Sequence, residues 1–358
     1  MLIVHLADGR RLGWAGAASL RAAIHAARDA ADAAQQPLRQ LLLALGAADS
    51  TAILRDAGLN PIAASAGLAH SPRSAAIALR RTLESLLRDH LRPDEHALIQ
   101  PWEIDAAPLE HAALWRLAPL AKPIHLSPRH PVIDPTALDH ALAHRHATRR
   151  ALGIERDFVV LHLGRAAAPA PAQTASYFAG ILNFAAVPSV ALFPQRFTAS
   201  DERGKRFAEH HRDAWKLLHA RGDVLRLVAA ADAVAVLRSP APHAHRTLGI
   251  ELAFAAAARK PVVAERVRDA TADPLESETL AAAAHFVDPA DRMNVAAALI
   301  NLRDAVRDQS PDLRRRLDDA AHAARSFHAD HAADRLLTAW RRTIHATGAP
   351  FRRVAHAG

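Results

Sequence analysis

The sequence predicts an α/β protein of two Rossmann-like domains, each built on a parallel sheet, the two sheets facing a cleft. Three observations carry that prediction. Short apolar runs of strand length alternate with helical segments along most of the chain, the pattern of a parallel, doubly wound sheet. The 358 residues suit two domains at roughly 150 residues each. Pro128, Pro131 and Pro135 fall within eight residues and read as an interdomain linker that divides the alternation in two.

Residues 2–6 form an apolar run of strand length, followed by Asp8-Gly9 and then Gly13-Trp14-Ala15-Gly16. Residues 17–34 are alanine-dominated with a helical period. Strand, glycine-containing loop and helix open an α/β unit, and glycine there lets a ligand approach the backbone. Residues 38–45 read as a helix, and the rest of 35–70 has no clear period. A longer helix fits 72–90, with Ser71 as N-cap and Pro72 in the first turn. Strands at 96–100 and 123–126 flank a helix at 108–117, a spacing that suits a βαβ crossover.

Beyond the linker the alternation is cleaner. Residues 158–163 (FVVLHL) are nearly all apolar, as a strand buried on both faces requires. Helix 174–186, strand 189–193, a charged amphipathic helix 202–221 and a short helix 224–230 follow. Strand 233–237, helix 249–259, and strands 261–264 and 284–287 continue the pattern. Helices over 292–305 and from 313 towards 343 close the chain. Ligands in such sheets sit outside the carboxyl ends of the strands.

Half the residues are hydrophobic and 23% are charged, which excludes a disordered or fibrous chain. No apolar run reaches the roughly 18 residues of a membrane span. The opening MLIVHLADGRR places charge after the apolar run, the wrong order for a secretory signal. There is no cysteine, hence no disulfide framework, thiolate metal site or cysteine nucleophile. A cytoplasmic protein is expected, with peripheral contact at the inner face of the membrane as a further expectation. The net charge of +8 and a pI near 10.8 fit a nucleic-acid binder. However, only Lys122, Lys205, Lys216 and Lys260 of the 45 basic residues are lysine, the mark of a GC-rich genome. The arginines are scattered among acids, as in 312–319 (DLRRRLDD), and aromatics are only 4%, too few for base-stacking platforms. A solvated mixed-charge surface and a phosphate-bearing substrate account for the charge better, and no nucleic-acid partner is expected.

Four segments then resemble a known family. Residues 149–165 (RRALGIERDFVVLHLGR) resemble the segment leading into the first C-domain strand and Gly-Arg loop of GT-B glycosyltransferases of the retaining family 4 type. Residues 222–239 (GDVLRLVAAADAVAVLRS) resemble that family's helix, Ala-Asp and strand ending in a serine loop. Residues 249–264 (GIELAFAAAARKPVVA) resemble its donor-site helix and next strand, and 286–302 its closing segment. The match runs in order over about 200 residues. It implies an N-terminal acceptor-side domain over 1–130, a linker over 131–148 and a nucleotide-sugar-binding domain over 149–330. It further implies a helix and tail over 331–358 that cross back to the first domain.

The resemblance also implies a site. A sugar nucleotide carries a diphosphate whose negative charge rises as the glycosidic bond breaks, and cations with helix N-termini stabilise it. Gly164 and Arg165 match the family's Gly-Arg loop; the clamp lysine position is Ala170. Arg238, Lys205 and Arg246 are candidate replacements, and Ser239 lies in the serine loop. The family's paired glutamates fall at Arg246 and Phe254, neither acidic. Glu251, one turn before Phe254, is either a ribose contact or a complement to the helix dipole. Gly249 and Ile250 open the helix, as a phosphate cradle or as a cap. Gly13 and Gly16 stand where the family's glycine loop lines the acceptor side, or in an ordinary tight turn. His5, His125 and His130 are the N-domain candidates for a site histidine.

His140, His144 and His146, and His328 with His331, lack a completed ligand set, so no metal is expected. No cofactor is expected beyond the nucleotide sugar as substrate. No nucleophile elbow or Walker loop is present. The function expected is a hexosyl-type glycosyltransferase acting in glycan biosynthesis, on a glycan or lipid-linked acceptor. The alternative is a catalytically inactive GT-B-like scaffold in surface-glycan assembly.

Overall fold

The computed structural model describes residues 1–7, 9–45, 48–63, 72–93, 95–102, 122–123, 132–163, 189–193, 217–219, 223–236, 248–265, 280, 282–288 and 291–347. The chain divides into two compact units. Unit one comprises Met1–Leu12, Leu20–Pro128 and Ala329–Gly358, and unit two Gly13–Ser19 and Arg129–His328.

Unit one holds five parallel strands: β1 (Leu2–Ala7), β2 (Arg39–Ala44), β3 (Ile62–Ala63), β4 (Ala97–Trp102) and β5 (Lys122–Pro123). Their order is β3-β2-β1-β4-β5, so the winding direction reverses between β1 and β4. α1 (Gly9–Ala33) apart from its Gly13–Ser19 stretch, α2 (Ala48–Asp56), α3 (Pro72–His90) and α10 (Ala329–Thr347) complete the described part of the unit. Successive residues of a strand face opposite sides. Leu2, Val4 and Leu6 of β1 therefore pack with Leu79, Leu83 and Leu86 of α3, whereas Ile3, His5 and Ala7 occupy the other face. The expected helix over 38–45 is instead the strand β2. Arg-Gln-Leu-Leu-Leu-Ala is too short for periodicity to separate the two, and pairing with β1 from Leu2–Arg39 to Ala7–Ala44 decides it.

Unit two holds six parallel strands: β6 (Phe158–His162), β7 (Ser189–Phe193), β8 (Leu217–His219), β9 (Ala233–Val236), β10 (Val262–Glu265) and β11 (Ala284–Val287). The order β11-β10-β9-β6-β7-β8 is that of the dinucleotide-binding Rossmann sheet, with its reversal between β6 and β9. Both units are therefore α/β with parallel sheets, as the alternation predicts. β8 corrects the helix expected over 202–221: Leu217–His219 pairs with Ala191–Phe193 of β7, and strand pairing overrides local helical pattern. The expected helices over 108–117 and 174–186 lie outside the described residues.

The linker expected over 131–148 is taken up mostly by α4 (Pro135–Ala143) and the start of α5 (Arg145–Ala151). Asp134 starts α4, its side chain accepting from Ala137 N at 2.9 Å with Pro135 at the first helical position. Pro135 thus marks a helix start, and Pro128 and Pro131 lie outside the described residues. α6 (Val224–Ala230), α7 (Leu248–Ala257), α8 (Arg292–Arg307) and α9 (Pro311–Ala324) cover the sheet. Val160, Ala235, Val263 and Val287 meet Val295 and Leu299 of α8 in one apolar core. The helix expected from 313 towards 343 is broken. A short 3-10 turn at Arg325–Phe327 ends α9, His328 bridges to Ile133, and α10 begins at Ala329 in unit one.

Candidate functional site

Topology locates the candidate site before any side chain does. In unit two the chain leaves β9 at its carboxyl end, and α7 runs back to the start of β10. The N-terminus of α7 therefore lies toward the carboxyl ends of the strands, where its first N–H groups have no intrahelical acceptor. Gly249, Ile250 and Glu251 form that first turn. Ile250 and Glu251 are both buried, as are Leu252, Ala253 and Phe254. Phe254, at 1% exposure, is a core residue. The position where the resemblance places a carboxylate is thus an apolar anchor of the helix.

At the reversal point, β6 ends on His162, which stands opposite Ala235 of β9, and Leu163 N donates to Ala235 O at 3.0 Å. Burial lowers the His162 pKa to about 3, so the ring is neutral at physiological pH. Sequence reasoning misses His162 because FVVLHL reads as a core strand. The signal available is a lone polar side chain in an apolar run, two residues before Gly164. Gly164, Arg165, Arg238, Ser239 and Arg246 lie outside the described residues, as do Ala170, Lys205, His125 and His130.

In unit one the reversal point carries a buried polar chain. Trp102, the last residue of β4, donates its indole N–H to His5 Nδ1 at 2.9 Å. An indole nitrogen only donates, so Nδ1 is the unprotonated nitrogen and Nε2 carries the proton. Nε2 then donates to Gln40 Oε1 at 2.9 Å, and Gln40 Nε2 donates to Ile24 O at 2.9 Å. Trp340 of α10 sets its ring edge-on to His5 and donates to Gln100 Oε1 at 3.2 Å. Burial, offset in part by the Gln40 hydrogen bond, lowers the His5 pKa to about 4. His5 is therefore a neutral histidine with both ring nitrogens engaged inside unit one.

Gly13 and Gly16 both lie within α1 and are buried. Gly13 has φ +65° and ψ −171°, a region that only glycine populates readily, and it kinks the helix there. Among the described residues, no group of three or more histidine, cysteine or acidic side chains is placed to hold a metal, and no helix is long and apolar enough to cross a membrane.

No protein-family model and no curated protein matches the chain. Solved structures do. A glycosyltransferase from Rickettsia africae aligns over 96% of this chain and 98% of its own, at 10% identity and a TM-score of 0.61. The Anabaena protein HepE, solved with UDP and glucose, aligns over 95% and 99%, at 14% identity and a TM-score of 0.56. The UDP-GlcNAc 2-epimerase of Neisseria meningitidis, solved with UDP-GlcNAc, aligns over 95% and 99%, at 10% identity and a TM-score of 0.53. Glycosyltransferases and epimerases of this kind share the GT-B fold, and this chain has that fold.

Proposed function

We propose that the chain binds a nucleotide-diphosphate sugar at the carboxyl end of the unit-two sheet and transfers the sugar to an acceptor hydroxyl. The observation that carries this reading is the strand order, whose reversal between β6 and β9 opens the crevice used by nucleotide ligands in such sheets. The N-terminus of α7 is directed to the same end, and N–H groups without an intrahelical acceptor at a positive helix terminus suit a diphosphate. The solved neighbours crystallised with UDP, glucose or UDP-GlcNAc support that ligand class.

In this scheme Arg165, which follows β6 in sequence, binds the diphosphate beside Gly164. Gly249 and Ile250 offer backbone N–H groups, and Glu251 takes the ribose hydroxyls. Arg238 and Ser239 follow β9, and Arg246 replaces a missing cation. As the glycosidic bond breaks, charge builds on the leaving diphosphate, and Arg165 with the α7 terminus opposes it. Gly13 and Gly16 line the acceptor side. The acceptor is a glycan or lipid-linked hydroxyl met at the inner membrane face, and retention of configuration belongs to the resemblance. The scheme uses no metal or redox cofactor.

A second reading has a specific observation behind it. Phe254 is a core residue where the resemblance places a glutamate, which favours a GT-B protein that binds without turnover. Thermal shift with UDP, GDP, ADP and their sugars separates the two. A ligand at 100 times its Kd adds roughly 2.7 kcal/mol. Stabilisation by one nucleotide family, lost in Arg165→Ala, is the expected outcome. Stabilisation without hydrolysis or transfer of the sugar selects the binding protein, and no stabilisation by any of them rejects both. Proton NMR of UDP-GlcNAc during incubation would reveal epimerisation instead.

A further inference from the structure

The amino end of the unit-two sheet, opposite the proposed nucleotide site, carries an unusual concentration of positive charge. α6 ends there, and Arg145, Arg149 and Lys260 all converge on its last carbonyls. Arg145 Nη1 donates to Ala229 O and Ala231 O at 3.2 and 3.0 Å. Lys260 Nζ donates to the same two oxygens at 3.2 and 2.8 Å, and Arg149 Nη1 to Ala230 O at 2.8 Å. The helix terminus supplies only about half a negative charge. Asp232 is the one carboxylate that pairs with this group among the described residues, bound by Arg145 and by Arg149 at 3.0 Å.

Beside this cluster lies a cavity of about 320 Å³, within the range of small-molecule pockets. Among the described residues, Arg145, Lys260, Arg259 and Arg314 line it, against two acids, Asp232 and Asp318. Arg259 pairs with Asp318 at 2.7 Å, but Arg314 hydrogen-bonds the Gln309 side chain at 3.1 Å rather than a carboxylate. Lys260 is 94% buried by its 6% exposure, and two of the three N–H bonds of its ammonium go to carbonyls. The formal surplus of the wall is two positive charges. Apolar lining comes from Leu313 and Leu317 of α9, with Pro261 and Val306.

We propose that this cavity is a second ligand site, which binds a small organic phosphate with its dianionic head on Lys260, Arg145 and Arg314 and its body against Leu313 and Leu317. Four cations against two carboxylates match a dianion in charge, and guanidinium forks match phosphate oxygens in shape. Burial, Arg145 and Arg149 together lower the Lys260 pKa to about 7, with Asp232 opposing them, so near neutrality the amine is only half protonated. A bound dianion restores the missing charge balance and draws a proton onto Lys260. Arg259 and Asp318 are exposed and neutralise each other.

Calorimetric titration of the full chain with phenyl phosphate tests this, in parallel with inorganic phosphate and with UDP. Phenyl phosphate is expected to bind with a submillimolar Kd, at least tenfold tighter than inorganic phosphate, and to weaken about tenfold from pH 7.0 to 8.5 as Lys260 loses its proton. Proton uptake should appear as a heat that varies with the ionisation enthalpy of the buffer. Lys260→Met should abolish both the affinity and the pH dependence while UDP binding stays unchanged. The shared carbonyls keep Arg145 as donor in that variant, so folding is retained. Arg314→Ala, an exposed position, provides the second test and should weaken binding tenfold. Absence of phenyl phosphate binding at millimolar concentration overturns the proposal. So does equal affinity for inorganic phosphate, or affinity unchanged in both variants. Because UDP is read separately, failure here is distinct from failure of the nucleotide site.

Discussion

Asp232 shows how much a single side chain holds together. Its carboxylate receives Arg145, Arg149 and the backbone N–H of Val159 at 2.8 Å, and so ties α5 to the start of β9 and to β6. Removing one member of a buried ion pair leaves the others uncompensated, which costs about 3–5 kcal/mol. Asp232→Ala is expected to lose that much of unit-two stability, measured by urea unfolding. A loss below about 1 kcal/mol would mean that the carbonyls alone hold the cations. Gly13 has a different dependence. Among the described residues a Cβ there meets nothing within 4 Å, so Gly13→Ala should cost the backbone strain of its φ +65° conformation, about 1–3 kcal/mol.

Among the elements, α10 follows unit two in sequence yet belongs to unit one. Its anchor is Trp340, fully buried, with its indole on Gln100 of β4 and its ring against His5 of β1. Trp340→Ala is expected to cost about 3–5 kcal/mol in unit one, in the manner of large-to-small core changes. It should also lengthen the Trp102–His5–Gln40 chain, a change visible as a shift of the His5 imidazole resonances. α7 contributes in two directions, since its first turn faces the proposed nucleotide site and the chain beyond its last turn, Arg259-Lys260, lines the cavity at the other end of the sheet. Ala256 of α7 packs with Leu317, Ala320 and Ala324 of α9. One helix thus supports both proposed sites.

For the whole molecule, acid is the expected weak point, because each unit buries a neutral histidine at its sheet. His5 in the folded chain titrates near 4 and His162 near 3, against an ordinary value of 6.5. Below pH 6.5 the unfolded chain takes up protons that the folded chain refuses, so stability is complete above that pH and declines as pH falls toward 4 and then 3. The loss reaches about 3 kcal/mol in unit one and about 5 kcal/mol in unit two at 1.36 kcal/mol per unit. Urea midpoints between pH 7 and 5 should therefore fall steadily, and both imidazole resonances should remain at their neutral positions at pH 5.5. A histidine that titrates near 6.5 by NMR would remove that unit's contribution.

The sequence by itself determined the α/β class, the parallel pairing implied by strand and helix alternation, and most strands of unit two, because a strand buried on both faces must be nearly all apolar. It also located the first turn of α7, since Gly249 and Glu251 at a helix start carry a local signal. Tertiary structure alone decided β2 and β8, whose short segments become strands only by pairing with β1 and β7. It alone assembled the polar groups. Trp102 and His5 are 97 residues apart, and Arg149 and Asp232 83, and no local pattern announces either pair. Local periodicity records which face of an element is apolar. Which buried polar atoms satisfy one another depends on where the elements pack, and that is why the cation-lined cavity appears only in three dimensions.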